Sequence, residues 1–196
     1  MIKIANTDYP IHELIKNRWS PYQFSSQSVS KEDLLSLFEA ARWAPSSYNE
    51  QPWRFIVATK EQPEEFEKLF SCLLEGNQAW AINAPVLVLG ISHLNFERNS
   101  EYNKAAIHDL GAAVSYLSLE ATARGLSVHQ MIGIEPSKAK ELYTIPEDYE
   151  VLTAFAIGYA DMSEQNGDTY AERDNTKRSR KKMNELVYQQ QWKQPL

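Results

Sequence analysis

A chain of 196 residues with 43% apolar content can bury most of the surface its unfolded form exposes, so one compact domain over 1–196 is expected. Its formal charge of −6 argues against general attraction to nucleic acid or anionic lipid, and Cys72, the single cysteine, excludes an intrachain disulfide and an all-cysteine metal cage from one subunit. The opening Met1-Ile2-Lys3-Ile4-Ala5-Asn6 lacks the charged head and apolar core of a secretory signal, and no window offers the ~18 apolar residues of a membrane span, so a cytoplasmic protein without a membrane partner is expected.

In chain order, Ser30-Lys31-Glu32-Asp33 has the form of a helix-start box, and Leu34, Leu37, Phe38 and Ala41 recur at helical spacing until Pro45 ends the run. Ser46 to Pro52 is polar and loop-like, and Trp53-Arg54-Phe55-Ile56-Val57-Ala58 has the β-branched and aromatic content of a strand. A helix is predicted over Pro63 to Trp80, and the apolar run Val86 to Ile91 predicts an inner strand covered on both faces. From Lys104 to Arg124 the chain is rich in Ala and Leu and is closed by Gly125. Its small residues, Ala105, Ala106, Gly111, Ala112 and Ala113, suit close packing on another helix, such as one across a subunit interface. Strands are predicted over Val128 to Ile134 and Val151 to Tyr159, with a short helix between them from about Pro136 to Tyr143. Lys177, Arg178, Arg180, Lys181 and Lys182 form a late basic run; taken alone it is a solvated charge run, too short and too poor in aromatic neighbours to expect nucleic acid as a partner.

Several chemistries have no support in the residues. No G-x-G-x-x-G follows a strand, no G-x-x-x-x-G-K-S/T is present, and only seven glycines occur in all, so neither a Rossmann nor a P-loop site is expected. His12, His93, His108 and His129 show no metal-ligand spacing with one another or with Cys72, so no metal site is expected. No G-x-S-x-G elbow is present, and Cys72 falls in a helix-like stretch, so nucleophilic catalysis is not indicated. What remains is three polar segments far apart in sequence: Arg18-Trp19-Ser20, the loop from Pro45 to Trp53, and the late basic run with Arg178 and Arg180.

Together these segments resemble the nitroreductase family. The match consists of an early Arg-x-Ser, here Arg18 and Ser20, and the string Pro45-Ser46-Ser47-Tyr48-Asn49-Glu50-Gln51-Pro52-Trp53 after the first long helix. It continues with Asn77, seven residues before Ala84-Pro85, and Arg180, two turns before an apolar helix end at Leu186-Val187. The resemblance covers about Ile11 to Val187. It implies an α+β fold of three layers, α/β/α, in which a central mixed, mainly antiparallel sheet is flanked by long helices and FMN lies at the interface of a homodimer.

The resemblance also implies how the cofactor is held. Arg18 and Arg180, with Arg178 nearby, would meet the phosphate, for which planar guanidinium groups are better donors than ammonium. Ser20, Asn77 and Ser46 or Ser47 would pair with the ribityl hydroxyls. The loop bearing Pro45, Ser46, Ser47, Asn49 and Gln51 would carry the isoalloxazine ring, and the backbone of Met131, Ile132 and Gly133 would approach its reactive edge, the glycine permitting close contact. Trp19 belongs to the same early motif. Tyr22 stands where many members carry Lys or Arg near the pyrimidine edge, and a phenol brings a hydrogen bond but no positive charge, which implies a lower flavin potential.

No protein residue is then expected to be catalytic, since the flavin carries the chemistry. The implied reaction is hydride transfer from NAD(P)H through FMN to a small-molecule electron acceptor, a nitroaromatic or quinone, by a ping-pong cycle. A tail over about 188–196 is expected to pack on the partner subunit. Other chemistry on the same scaffold (dehydrogenation, dehalogenation, flavin fragmentation) and a flavin-binding protein without turnover are the alternatives. The segments 70–80 and 96–102 are candidates to cover the acceptor.

Overall fold

The computed structural model describes residues 3–161, 163 and 169–196; Met1 and Ile2 of the opening segment lie outside them. The elements are α1 (Glu13–Asn17), α2 (Lys31–Arg42), β1 (Trp53–Thr59), α3 (Pro63–Phe70), α4 (Glu75–Ala81), β2 (Val86–His93), α5 (Ala106–Ala123), β3 (Ser127–Met131), α6 (Pro136–Tyr143), β4 (Tyr149–Gly158) and α7 (Thr169–Asn175). Between α2 and β4 they follow the predicted order, while α1 and α7 have no counterpart among the predicted elements. The strands form one sheet in the order β1-β2-β4-β3, antiparallel at each of its three pairings.

Alternation along the inner strands makes the three layers. Leu87, Leu89 and Ile91 of β2, with Ala154 and Ala156 of β4, face a core closed by Phe66, Leu69 and Trp80 from α3 and α4. Their neighbours Val86, Val88, Phe155 and Ile157 face the opposite core, closed by Leu37 and Ala41 of α2 and by Leu110, Val114 and Leu117 of α5. A strand with both faces covered has no need of polar positions, which is why Val86 to Ile91 of β2 is an unbroken apolar run.

The helix ends obey local chemistry. Ser30 caps α2, its hydroxyl accepting from the Asp33 N–H at 3.0 Å. At the end of α5 the chain turns at Gly125, φ 74°, where the Gly125 N–H reaches the Thr122 carbonyl at 3.2 Å and the Leu126 N–H reaches that of Ala121 at 2.8 Å. A left-handed turn of this kind favours glycine.

Three predicted elements differ from the structure. The helix expected over 63–80 is broken at 71–74, because Cys72 to Leu74 pair instead with the segment after β3: Leu74 N–H donates to the Gly133 carbonyl at 3.0 Å and Glu135 N–H to that of Cys72 at 2.8 Å. The same pairing ends the strand expected over 128–134 at Met131, so that 132–134 leaves the sheet to meet α4. Tertiary pairing has overridden local propensity at both places. Leu186 and Val187 follow a single 3-10 turn over Met183–Glu185, not the end of a longer helix.

His129 lies on β3 with its ring stacked on Trp80 at 4.3 Å and its Nδ1 2.7 Å from the Pro21 carbonyl. Burial pulls the imidazole below its ordinary range, partly opposed by that hydrogen bond and by the charge of Asp174. A base held neutral in the fold gives its full stability above the unfolded pKa, about 6.5, and loses it as the pH falls through that value towards the lower folded one. Thermal melts at pH 7.5 and 5.5 are expected to show a larger drop in Tm for the wild type than for His129→Gln; parallel drops would refute this reading.

Candidate functional site

The structure gathers the predicted residues into three groups. At the first, Arg18 ends α1 and its Nη1 donates to the Ser20 hydroxyl at 3.3 Å. Burial, then the nearby charge of Arg180, pull the Arg18 guanidinium below its ordinary range, and burial followed by the charges of Arg18 and Arg180 does the same to Arg178. The two chain ends therefore bring three guanidinium groups into mutual repulsion, and no carboxylate forms an ion pair with any of them among the described residues. A cluster of this kind is unfavourable alone and suited to an anion.

The three arginines are not equivalent. Arg178 spends Nη1 on the carbonyls of Lys3 (2.8 Å) and Lys16 (3.1 Å), stapling these segments together, while Arg180 is exposed and, among the described residues, bonds only its neighbour's carbonyl. Trp19 is buried at 7% exposure, with the Lys3 ammonium 5.5 Å from its ring, so its side chain belongs to the packing behind the cluster.

Asp174 of α7 completes this corner. Its carboxylate accepts from Tyr22 N–H with both oxygens (3.0 and 2.9 Å) and from Gln23 N–H (3.0 Å), although burial pushes the carboxyl above its ordinary range. That fixes the backbone just beyond Ser20. The Tyr22 ring packs edge-on to Trp80 at 5.4 Å and to His129 at 4.7 Å, stacks on Tyr170 at 5.5 Å, and carries the Arg173 guanidinium over its face at 5.4 Å.

The second group is the loop between α2 and β1. Tyr48, Asn49 and Gln51 all adopt left-handed backbone, φ 54°, 58° and 52°. Each costs of the order of 1–3 kcal/mol for a residue with a Cβ, and such strain persists only where surrounding bonds enforce it. Those bonds are present: Gln51 N–H donates to the Ser46 hydroxyl at 3.0 Å, Ser47 N–H to the Asp109 carboxylate at 2.9 Å, and Arg54 Nη1 to the Gln51 carbonyl at 2.9 Å. Asp109 is 2% exposed in the first turn of α5 and thereby ties the loop to that helix. Pro45 and Asn49 are left exposed.

The third group joins α4 to the segment after β3. Asn77 Nδ2 donates to the Gly133 carbonyl at 2.9 Å, beside Met131 (6% exposed) and the protruding Ile132 (82% exposed). A Cβ on Gly133 would lie 2.5 Å from Asn77 Nδ2. Gly133→Ala is therefore expected to push the Asn77 amide aside and to weaken the binding of any ligand held there about as much as Asn77→Ala does. Titration of the two variants and the double variant checks this; additive losses would contradict a shared mechanism.

Asp109 and Asp174 were not flagged by the sequence, and neither sits in a motif. Among the described residues, Glu50, His93 and Glu97 place ligand-type atoms within 4.8 Å of one another. Arg54 already pairs with Glu97 at 3.2 Å and Asp148 with His93 at 3.0 Å, so these groups are satisfied within the protein. No described helix is long and apolar enough to cross a membrane.

The sequence matches the family model described as "Nitroreductase family" over residues 15–159. Among curated relatives, a provisionally named NADH dehydrogenase/NAD(P)H nitroreductase of Archaeoglobus fulgidus is 28% identical over 152 residues, covering 75% of this chain and 83% of its own. An iodotyrosine deiodinase of Thermotoga neapolitana is 24% identical over 172 residues, 77% of this chain and 89% of its own. Among solved structures, one described as an oxidoreductase containing FMN superposes with a TM-score of 0.89 at 33% identity, covering 95% of each chain.

Proposed function

The chain belongs to the nitroreductase family, and from that premise we propose that it is an FMN-dependent oxidoreductase carrying hydride from NAD(P)H to a nitroaromatic, quinone or similar electron-poor acceptor. The carrying observation is the cluster of Arg18, Arg178 and Arg180, unpaired with any carboxylate among the described residues, in which Arg18 and Arg178 are held below their ordinary range by burial and by the neighbouring guanidinium charges. The donor set fits the mononucleotide: guanidinium groups for a phosphate, the Ser20 hydroxyl and Asn77 amide for a polyol chain, and a rigid loop for a flat ring.

When bound, FMN would supply the redox chemistry, taking hydride from the nicotinamide and passing electrons on to the acceptor. The protein's part is positional. Arg18 and Arg180 would hold the phosphate, and Arg178 would keep the chain ends that carry them together. Asp174 would set the backbone after Ser20, and Asp109 would hold Ser46 to Gln51 in the strained form the ring requires. Tyr22 would offer the pyrimidine edge no cation, and its ring is already enclosed by Trp80, His129 and Tyr170.

The assembly we propose is one domain per chain in a cytoplasmic homodimer, with the loop and the arginine cluster of one site coming from different subunits. On α5, Ile107 and Tyr116 are 42% and 43% exposed, and a Cβ on Gly111 would meet nothing. Trp192 and Leu196, in the tail at 188–196, are 79% and 81% exposed and would be covered by the partner. Initial rates against NADH at several fixed acceptor concentrations test the reaction: parallel double-reciprocal lines are expected, and lines that intersect would contradict donor and acceptor taking turns at one site.

A further inference from the structure

The segment after β2 folds into a small hairpin that rides on the strained loop. Asn95 and Tyr102 form an antiparallel bridge, and Phe96 N–H donates to the Glu101 carbonyl and Ser100 N–H to that of Phe96, both at 2.8 Å. The hairpin is clamped to the loop by the Glu97 N–H on the Glu50 carboxylate at 2.6 Å and by the Arg54–Glu97 ion pair at 3.2 Å. The Tyr48 ring meets Phe96 edge-on at 5.8 Å. The chain thus packs two aromatic rings and a rigid turn against the segment proposed to carry the flavin ring.

Arg98 completes this shelf. Its guanidinium lies 4.4 Å from the Tyr48 ring centre and 5.1 Å from that of Phe96. Arg54, its neighbour, is paired with Glu97, but Arg98 has neither an ion pair nor a hydrogen bond among the described residues. Stacking occupies the face of a guanidinium and leaves its N–H edge free, in a fork that matches one carboxylate. A single fork beside two rings suits a flat aromatic acid. The pyrophosphate of a dinucleotide would call for more than one cation.

We propose that Arg98, with Tyr48 and Phe96, selects aromatic electron acceptors that bear a carboxylate. The proposal rests on the FMN oxidoreductase reading above. Its test compares the reconstituted holoenzyme with its Arg98→Gln variant, using para-nitrobenzoate and the neutral para-nitrobenzyl alcohol as acceptors. The ratio of kcat/KM for the acid over the alcohol is expected to fall about fivefold in Arg98→Gln, because the charge-assisted bond is lost at an exposed position. Arg98→Lys is expected to recover part of the ratio, keeping the charge without the planar fork.

The outcomes separate the two readings. A protein that takes up FMN, is bleached by NADH and turns over both acceptors with the same ratio in Arg98→Gln overturns the Arg98 proposal alone. Slower bleaching by NADH with an unmoved acceptor ratio also overturns it, and gives Arg98 to the donor. A protein that takes up no FMN overturns both.

Discussion

Arg18→Ala is expected to weaken FMN binding by about 10- to 100-fold while leaving the apoprotein no less stable than the wild type. A hydrogen bond to a charged group is worth about 1.5–3 kcal/mol, which sets the range. The second half of the expectation comes from the crowding of Arg18, Arg178 and Arg180, whose charges repel and have no acidic partner among the described residues. Removing one charge relieves the apoprotein and harms only the complex, the trade found where stability is given up for a ligand. Fluorescence titration with FMN and melts of the apoprotein measure the two quantities. An unchanged affinity would remove Arg18 from the site, and a large fall in apoprotein Tm would make it a structural residue.

Trp80→Ala should be among the most destabilising single changes in the chain. The ring is 2% exposed, stacks on His129 at 4.3 Å and Phe24 at 6.5 Å, and receives the Tyr22 edge at 5.4 Å. Truncating a buried tryptophan to alanine costs about 3–5 kcal/mol, which for a chain of this size lowers Tm on the order of 10 °C. Because α4 also carries Asn77, and Tyr22 follows Ser20 by two residues, the cavity is expected to loosen both sides of the proposed cofactor site. FMN affinity should therefore fall with stability. A variant that melts near the wild type, or that loses stability but keeps full affinity, would show that this aromatic cluster is not the support of the site.

Some of this was legible from the residues and some was not, for reasons that are local or distant. The loop from Pro45 to Trp53 could be placed because its string is contiguous and lies between a capped amphipathic helix and an apolar strand. Even so, no glycine marks its three left-handed residues, so its strain was invisible. The carboxylates that hold the site could not be found by spacing: Asp109 acts 62 positions from Ser47, and Asp174 acts 152 from Tyr22. The break at 71–74 was hidden likewise, because the competitor for those backbone groups is the Gly133 to Glu135 segment far along the chain. Arg178 and Arg180 were alike in the basic run, and the carbonyls of Lys3 and Lys16 distinguish the staple from its exposed neighbour.

The central claim is that this chain binds FMN and uses it to move electrons. The most direct test is the visible spectrum of the purified protein, supplied with FMN and freed of unbound flavin, before and after anaerobic addition of NADH. A yellow protein that bleaches, and regains its colour on adding a nitroaromatic or quinone, is the predicted result. A protein that stays colourless after exposure to FMN, or one that stays yellow with both NADH and NADPH, would contradict it.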